Sequence, residues 1–170
     1  MNTALEQIAT VIDLTNKYEI EINLVLSQCI VPVSSEYGFL CETLFHNLCL
    51  GFGCKVRLLR RIIEYWNWKD EDMGSFYAVM ELRNAFAHTS TSKRVLLIGF
   101  DPQTYERCAL ANEMVVDRKY KTYWKEVERG QALTEYMQAH GEATKTLKRI
   151  AEKIALTISP KRGASAVNIK

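Results

Sequence analysis

The 170-residue sequence lacks the local signatures by which many enzymes are recognised. It contains no phosphate-binding glycine loop, no nucleophile elbow and no HExxH zinc motif. Its five cysteines form no CxxC pair and have no zinc-site spacing, so we interpret them as reduced thiols in the core. We therefore expect neither a metal nor another cofactor.

Long hydrophobic runs are also missing. No window approaches the roughly 18 uncharged apolar residues that a membrane span requires, and the first 30 positions lack a basic segment followed by a cleavage site. We expect a cytoplasmic protein with no membrane contact. With 170 residues, 48% of them hydrophobic, the chain is long enough to bury one core and too short to expect two domains. We therefore expect one domain over residues 1–158. The segment 159–170 has little to bury, and we expect it to be a flexible C-terminal tail.

Apolar residues recur at spacings of three and four through most of the chain, which predicts a mainly α-helical fold. A first helix over residues 4–30 has its apolar positions at Ile8, Val11, Ile12, Ile20 and Leu24. A second follows Phe39, Leu40, Leu44, Phe45 and Leu48, a third runs from about 55 to 66, and a fourth carries Phe76, Val79, Leu82 and Phe86. A long helical region from about 120 to 158 has a seam of Leu133, Met137, His140, Leu147, Ile150 and Ile154.

One region departs from the helical pattern. The segment RVLLIGF (94–100) and a second part-apolar run ending in EMVV (113–116) are typical of short strands. We predict a β-hairpin-like insertion around residues 94–116.

Charge is distributed unevenly. Residues 1–52 hold six acids and one base, a net charge of −5, whereas residues 53–170 hold 14 acids and 21 bases, a net charge of +7. This asymmetry indicates either an anionic partner or attraction between the two halves of the chain.

The segment RNAFAH (83–88) places an arginine, an asparagine and a histidine near the end of the fourth helix. At about 100° per residue, Tyr77, Glu81, Asn84 and His88 lie within a stripe roughly 60° wide. Arg83 does not join them, because five steps place it about 140° from His88. Its guanidinium must reach around the helix, pair with a carboxylate, or serve the histidine of another chain.

This segment resembles the motif of the HEPN superfamily. In that motif four positions separate an arginine from a histidine, and a polar residue directly follows the arginine. GFGCKVRLLRRII, before it, is similar to the corresponding segment of the mannitol operon repressor (MltR) family. The resemblance covers about residues 35–90 and implies an HEPN-like helical bundle.

The HEPN resemblance implies a homodimer that cleaves RNA without a metal, as the toxin of a toxin–antitoxin or defence system held in check by a partner protein. Arg83 would steady the scissile phosphate, His88 would act as general acid or base, and Asn84 would orient one of them, with Tyr77 and Glu81 in support. The MltR resemblance implies an alternative: a non-catalytic helical dimer that acts in transcriptional regulation or as a scaffold.

Two further groups have competing interpretations. Lys55, Arg57, Arg60 and Arg61 could form a strip that binds RNA phosphates, or they are the solvent face of a helix whose core side is Val56, Leu59, Ile62 and Ile63. The second interpretation is simpler, and Glu64 lies four positions after Arg60 as in a helical ion pair. Trp66 and Trp68 could stack on bases, although aromatics at a helix end more often pack into a core or a partner.

Overall fold

The computed structural model describes residues 3–30, 36–46, 50–68, 71–88, 94–99, 115–117 and 122–162. In chain order its elements are the helices α1 (Ala4–Ile30), α2 (Tyr37–Thr43), α3 (Phe52–Tyr65) and α4 (Gly74–His88), the strands β1 (Arg94–Gly99), β2 (Val115–Asp117) and β3 (Thr122–Glu128), and the helix α5 (Arg129–Arg162). The fold is mainly α-helical, as the apolar spacing predicts. In these ranges no helix has the length and apolar character needed to cross a membrane.

The chain divides into two compact units. The first comprises Met1–Asn16 and Met73–Glu142, and it contains α4 and the three strands. The second comprises Lys17–Asp72 and Ala143–Lys170, and it contains α2 and α3. Helices α1 and α5 contribute residues to both units. The single domain expected over residues 1–158 stays a prediction; α5 continues four residues past the predicted helix end, and residues 163–170 of the expected tail lie outside the described ranges.

The strands of the first unit form one antiparallel sheet in the order β1-β3-β2. Strand β1 runs from Arg94 opposite Glu128 to Gly99 opposite Tyr123, and β2 pairs on the other side of β3. The two strands that the sequence predicts are present, but they pair with β3 and not with each other. The insertion is therefore a three-stranded sheet and extends beyond the predicted hairpin.

Strand β3 lies in a segment that we predicted to be helical, and that prediction is wrong. Its sequence, TYWKEVE, is rich in the β-branched and aromatic residues that favour strands. Val127 is buried between the exposed Glu126 and Glu128, which is the two-residue period of a strand with one covered face. The apolar seam of the following helix does not extend back into this segment.

Helix α1 buries a different face from the predicted one. Val11 belongs to the core, but Ile20 and Leu24 are exposed. The buried positions of its second half include Tyr18, Ile22, Val25 and Leu26. A row of polar residues spaced by four is buried beside them: Thr15, Glu19, Asn23 and Ser27. Apolar residues occur on several sides of this helix, so their spacing alone does not select the buried side.

Helix α2 is shorter than predicted and none of its seven residues is buried. Phe39 and Leu44 are exposed, contrary to the sequence prediction, whereas Phe45, beyond the helix end, is fully buried. Leu48, the last apolar position of that prediction, lies outside the described residues.

Helix α5 has the predicted seam in its second half and a shifted seam in its first half. Leu147, Ile150 and Ile154 are buried as predicted, but Met137 is exposed and His140 is only half-buried. The buried positions of the first half are Ala132, Tyr136, Ala139 and Ala143. Alanine is small enough to be buried where another element packs closely. A pattern based on large apolar residues does not predict such positions.

Candidate functional site

Helix α4 holds the RNAFAH motif against the core by its apolar side. Phe76, Val79, Leu82, Ala85 and Phe86 are all buried, which confirms the predicted buried side of this helix. The spacing of these residues follows the 3.6-residue period, so the polar side of α4 is turned away from the core. The buried Ala85 and Phe86 therefore fix the rotation of the helix that carries the polar residues of the motif.

The polar stripe becomes more exposed toward the end of α4. Tyr77, Glu81 and Asn84 are half-buried, and His88, the last residue of the helix, is exposed. The imidazole of His88 is thus accessible to a substrate or a partner.

Arg83 is half-buried and contacts its neighbour in the motif. Its Nη1 donates a hydrogen bond to Oδ1 of Asn84 at 3.2 Å. Within the described residues no hydrogen bond or ion pair joins Arg83 to His88. Because α4 is α-helical throughout, the two side chains leave it about 140° apart. The structure brings Arg83 and Asn84 together but leaves His88 separate within one chain.

A buried hydroxyl cluster lies close to Arg83, and sequence reasoning missed it. The Tyr136 hydroxyl lies 2.9 Å from Oγ1 of Thr15 and donates to the carbonyl oxygen of Val11 at 3.1 Å. Thr15 also donates to that carbonyl, at 2.8 Å. Burial raises the pKa of Tyr136, while its hydrogen bond with Thr15 and the charge of Arg83 act in the opposite direction. The charge of Arg83 therefore reaches the Tyr136 hydroxyl.

Two further residues of α5 lie near this cluster or the motif. The ring of His140 lies 5.8 Å from that of Tyr136, and the guanidinium of Arg129 lies 5.5 Å from the ring centre of Phe86. Arg129 is only 5% exposed, so its contact with Phe86 holds the end of α4 and does not place a cation in solvent. The two-residue alternation of β3 ends at Glu128, and this pattern in the sequence could have predicted that Arg129 begins α5.

The predicted basic strip on α3 loses one of its four members. Lys55 is buried, and its Nζ lies 2.5 Å from Oε1 of Glu19, also buried. The prediction that Lys55 contacts RNA is therefore wrong, because a buried ammonium group is not accessible to a phosphate. The other three residues, Arg57, Arg60 and Arg61, are exposed and form an arginine strip.

Part of the arginine strip is paired within the helix. Glu64 accepts hydrogen bonds from Nε of Arg60 at 2.8 Å and from Nη1 of Arg61 at 2.9 Å. The bond from Arg60, followed by that from Arg61, lowers the pKa of the Glu64 carboxyl below its usual value. The predicted Arg60–Glu64 pair is confirmed, as is the core side formed by Val56, Leu59 and Ile63. The arginine strip belongs to the second unit and the motif to the first.

The cysteines differ in their surroundings. Cys29 and Cys41 are half-buried, but Cys54 is exposed, so the interpretation of the cysteines as core thiols is wrong for Cys54. Cys49 and Cys108 lie outside the described residues. In the part of the chain that the structure describes, no three His, Cys, Asp or Glu side chains form a group suited to a metal ion.

No family model, curated protein or solved structure matches the chain.

Proposed function

We propose that the chain is a metal-independent endoribonuclease of HEPN type. The observation that supports this function is the exposed His88 at the end of a packed helix, preceded at the motif spacing by Arg83 and Asn84. The ring of His88 is open to solvent.

The chemistry requires only groups that the motif supplies. His88 as general base takes the proton of a ribose 2'-hydroxyl, whose oxygen then attacks the adjacent phosphorus. The P–O2' bond forms, the P–O5' bond breaks, and the departing 5'-oxygen takes up a proton. The products are a 2',3'-cyclic phosphate and a 5'-hydroxyl end. A guanidinium such as that of Arg83 stabilises the charge on the phosphate oxygens through its planar donors.

The separation of Arg83 from His88 favours a shared site in a homodimer. With the two side chains about 140° apart on one helix, each cleft would combine the arginine of one copy with the histidine of the other. A mixture of Arg83→Ala and His88→Ala chains tests this arrangement. One cleft of each mixed dimer would keep both residues, so the mixture should regain activity that neither variant has alone. No recovery in a mixture that does form dimers would place both residues in one chain.

Expression in a bacterial host tests the cleavage itself. The wild type should arrest growth and degrade total RNA to fragments with cyclic phosphate ends, whereas His88→Ala should do neither. His46→Ala is the matched control, since His46 is an exposed histidine outside the motif. We further propose that a toxin of this kind acts in the cytoplasm and is restrained by an antitoxin. Equal growth and intact RNA for the wild type and His88→Ala would overturn the proposal.

One observation favours a second candidate, a non-catalytic dimer of MltR type that serves regulation or scaffolding. Arg83 bonds to Asn84 and its charge acts to lower the pKa of Tyr136, so the arginine already interacts with groups of its own chain. In this case Arg83→Ala would lower stability and His88→Ala would change nothing. Thermal unfolding of both variants beside the RNA assay separates the two functions.

A further inference from the structure

Tyr65, at the end of α3, is the most exposed large apolar side chain in the described part of the protein. It is 84% exposed, although the neighbouring Trp66 and Trp68 are both half-buried. A large aromatic ring that is mostly in solvent is accessible to a ligand.

The ring of Tyr65 stands at the end of a group of neighbouring aromatic rings. It lies 6.3 Å from the ring of Trp66, which in turn lies 4.8 Å from that of Trp68. Lys153 sits 5.8 Å from the centre of the Trp68 ring and pairs with the buried Glu71. Trp68 is thus covered by a cation of its own chain, and the exposed member of the aromatic group is Tyr65.

The backbone after Tyr65 is fixed. Asn67 has a positive φ of 58°, and its N–H donates to the carbonyl of Glu64 at 3.1 Å. The N–H of Trp68 donates to the carbonyl of Ile63 at 3.0 Å. These two bonds form the Schellman motif that ends a helix, so little conformational freedom has to be lost when Tyr65 binds a ligand.

The residues that precede Tyr65 on the same side of α3 are cationic. Arg57, Arg61 and Tyr65 are spaced by four, so they form one row about 12 Å long. With Arg60 and Glu64 beside them, this exposed face has three positive charges and one negative charge. Among the described contacts Arg61 uses one of its five N–H donors and Arg57 uses two, which leaves donors on both for phosphate oxygens.

We propose that this face of α3, defined by Arg57, Arg60, Arg61 and Tyr65, binds single-stranded nucleic acid. Tyr65 stacks on an unpaired base, and the arginines contact the phosphates that precede it. Proteins that bind single strands combine positive charge along the phosphates with aromatic side chains, because every base has a π-face that can stack on a ring. In a duplex the bases are already stacked on each other and cannot receive the ring. The inference goes beyond RNA cleavage and does not depend on it, since it concerns binding by the second unit.

Fluorescence anisotropy with the full chain tests the proposal. The probe is a fluorescein-labelled oligodeoxythymidine of about 15 nucleotides, within the usual site sizes. It lacks the 2'-hydroxyl and is therefore not consumed by the proposed reaction. A duplex of equal length is measured in parallel. Failure of RNA cleavage would leave this experiment unaffected.

We expect the single strand to bind more tightly than the duplex. Tyr65→Ala should weaken binding by about 5- to 150-fold, the usual effect of removing one stacking ring, whereas Tyr65→Phe should retain it. Arg61→Ala should reduce the salt dependence, by about 0.7 in the slope of log affinity against log salt. The matched control is Phe39→Ala, which removes another exposed ring, 69% accessible, beside the acidic Glu36 and Glu42, and should bind as the wild type does.

Equal binding of Tyr65→Ala and wild type, with unchanged melting temperatures, would overturn the proposal. Equal affinity for the duplex and the single strand would overturn it as well, because charge alone would then account for binding. Displacement of the probe by poly-glutamate at matched charge would show that the face takes an acidic polypeptide instead.

Discussion

The buried pair of Lys55 and Glu19 makes a strong prediction about stability. The side chains are 1% and 9% exposed, and their charged atoms lie 2.5 Å apart. Lys55→Met keeps the length of the side chain but removes its charge, which leaves the Glu19 carboxylate buried without this partner. Breaking a buried pair in this way costs about 3–5 kcal/mol. In a chain of this size we expect the melting temperature to fall by roughly 6–20 °C.

Urea denaturation followed by circular dichroism measures this effect. The double variant Glu19→Leu with Lys55→Met removes both charges, and we expect its stability to return to that of the wild type or to exceed it. Arg60→Met is the matched control. It breaks an ion pair whose side chains are 48% and 42% exposed, and solvent screens such a pair, so we expect little change in stability.

Two results would refute this reasoning. One is a cost for Lys55→Met no larger than that for Arg60→Met, since the Lys55 ammonium would then be solvated. The other is a double variant as unstable as the sum of its single changes. In addition, Lys55→Met should leave the affinity for a single-stranded oligonucleotide unchanged, whereas Arg61→Ala should lower it.

Three further changes test separate parts of the structure. Asn67→Ala should cost about 1 kcal/mol in thermal unfolding, because alanine tolerates the left-handed backbone poorly, and Asn67→Gly should cost less; equal values would contradict the turn. Tyr136→Phe should cost about 1–2 kcal/mol in urea unfolding, since it removes the hydroxyl that bonds to Thr15 and the Val11 carbonyl, and no loss would argue against that cluster. Iodoacetamide at pH 8, with peptide mass spectrometry, should modify the exposed Cys54 well before Cys29. Burial raises the pKa of Cys29 to about 12, so its reactive thiolate is rare below that pH, and equally fast labelling of both cysteines would contradict its burial.

The buried side of α4 could be predicted from the sequence because its large apolar residues lie on one side of the helix. Phe76, Val79, Leu82 and Phe86 recur at spacings of three and four and are all buried on one side of that helix. The same reasoning placed the exposed His88 at the end of the helix, on the stripe that carries Asn84. The chemical roles of Arg83, Asn84 and His88 stay predictions, since local spacing identifies neither a substrate nor a partner.

Elsewhere the local pattern allowed more than one structure. In α1 the apolar residues fit two faces, and tertiary packing selected Tyr18 and Ile22 over Ile20 and Leu24. The segment of β3 has charged residues compatible with a helix, but its pairing with β1, whose residues lie about 30 positions earlier, makes it a strand. Contacts between distant segments decide such cases, and no local spacing contains them.

The sequence by itself determined the mainly helical class, the position of the motif on α4 and the Arg60–Glu64 pair, all of which follow from interactions within a few residues. Only the tertiary structure decided that Lys55 is buried, because its partner Glu19 lies 36 positions away. It likewise decided that Tyr136 bonds to Thr15, across 121 positions. The free energy of these contacts depends on desolvation by the whole fold, which the order of neighbouring residues does not specify.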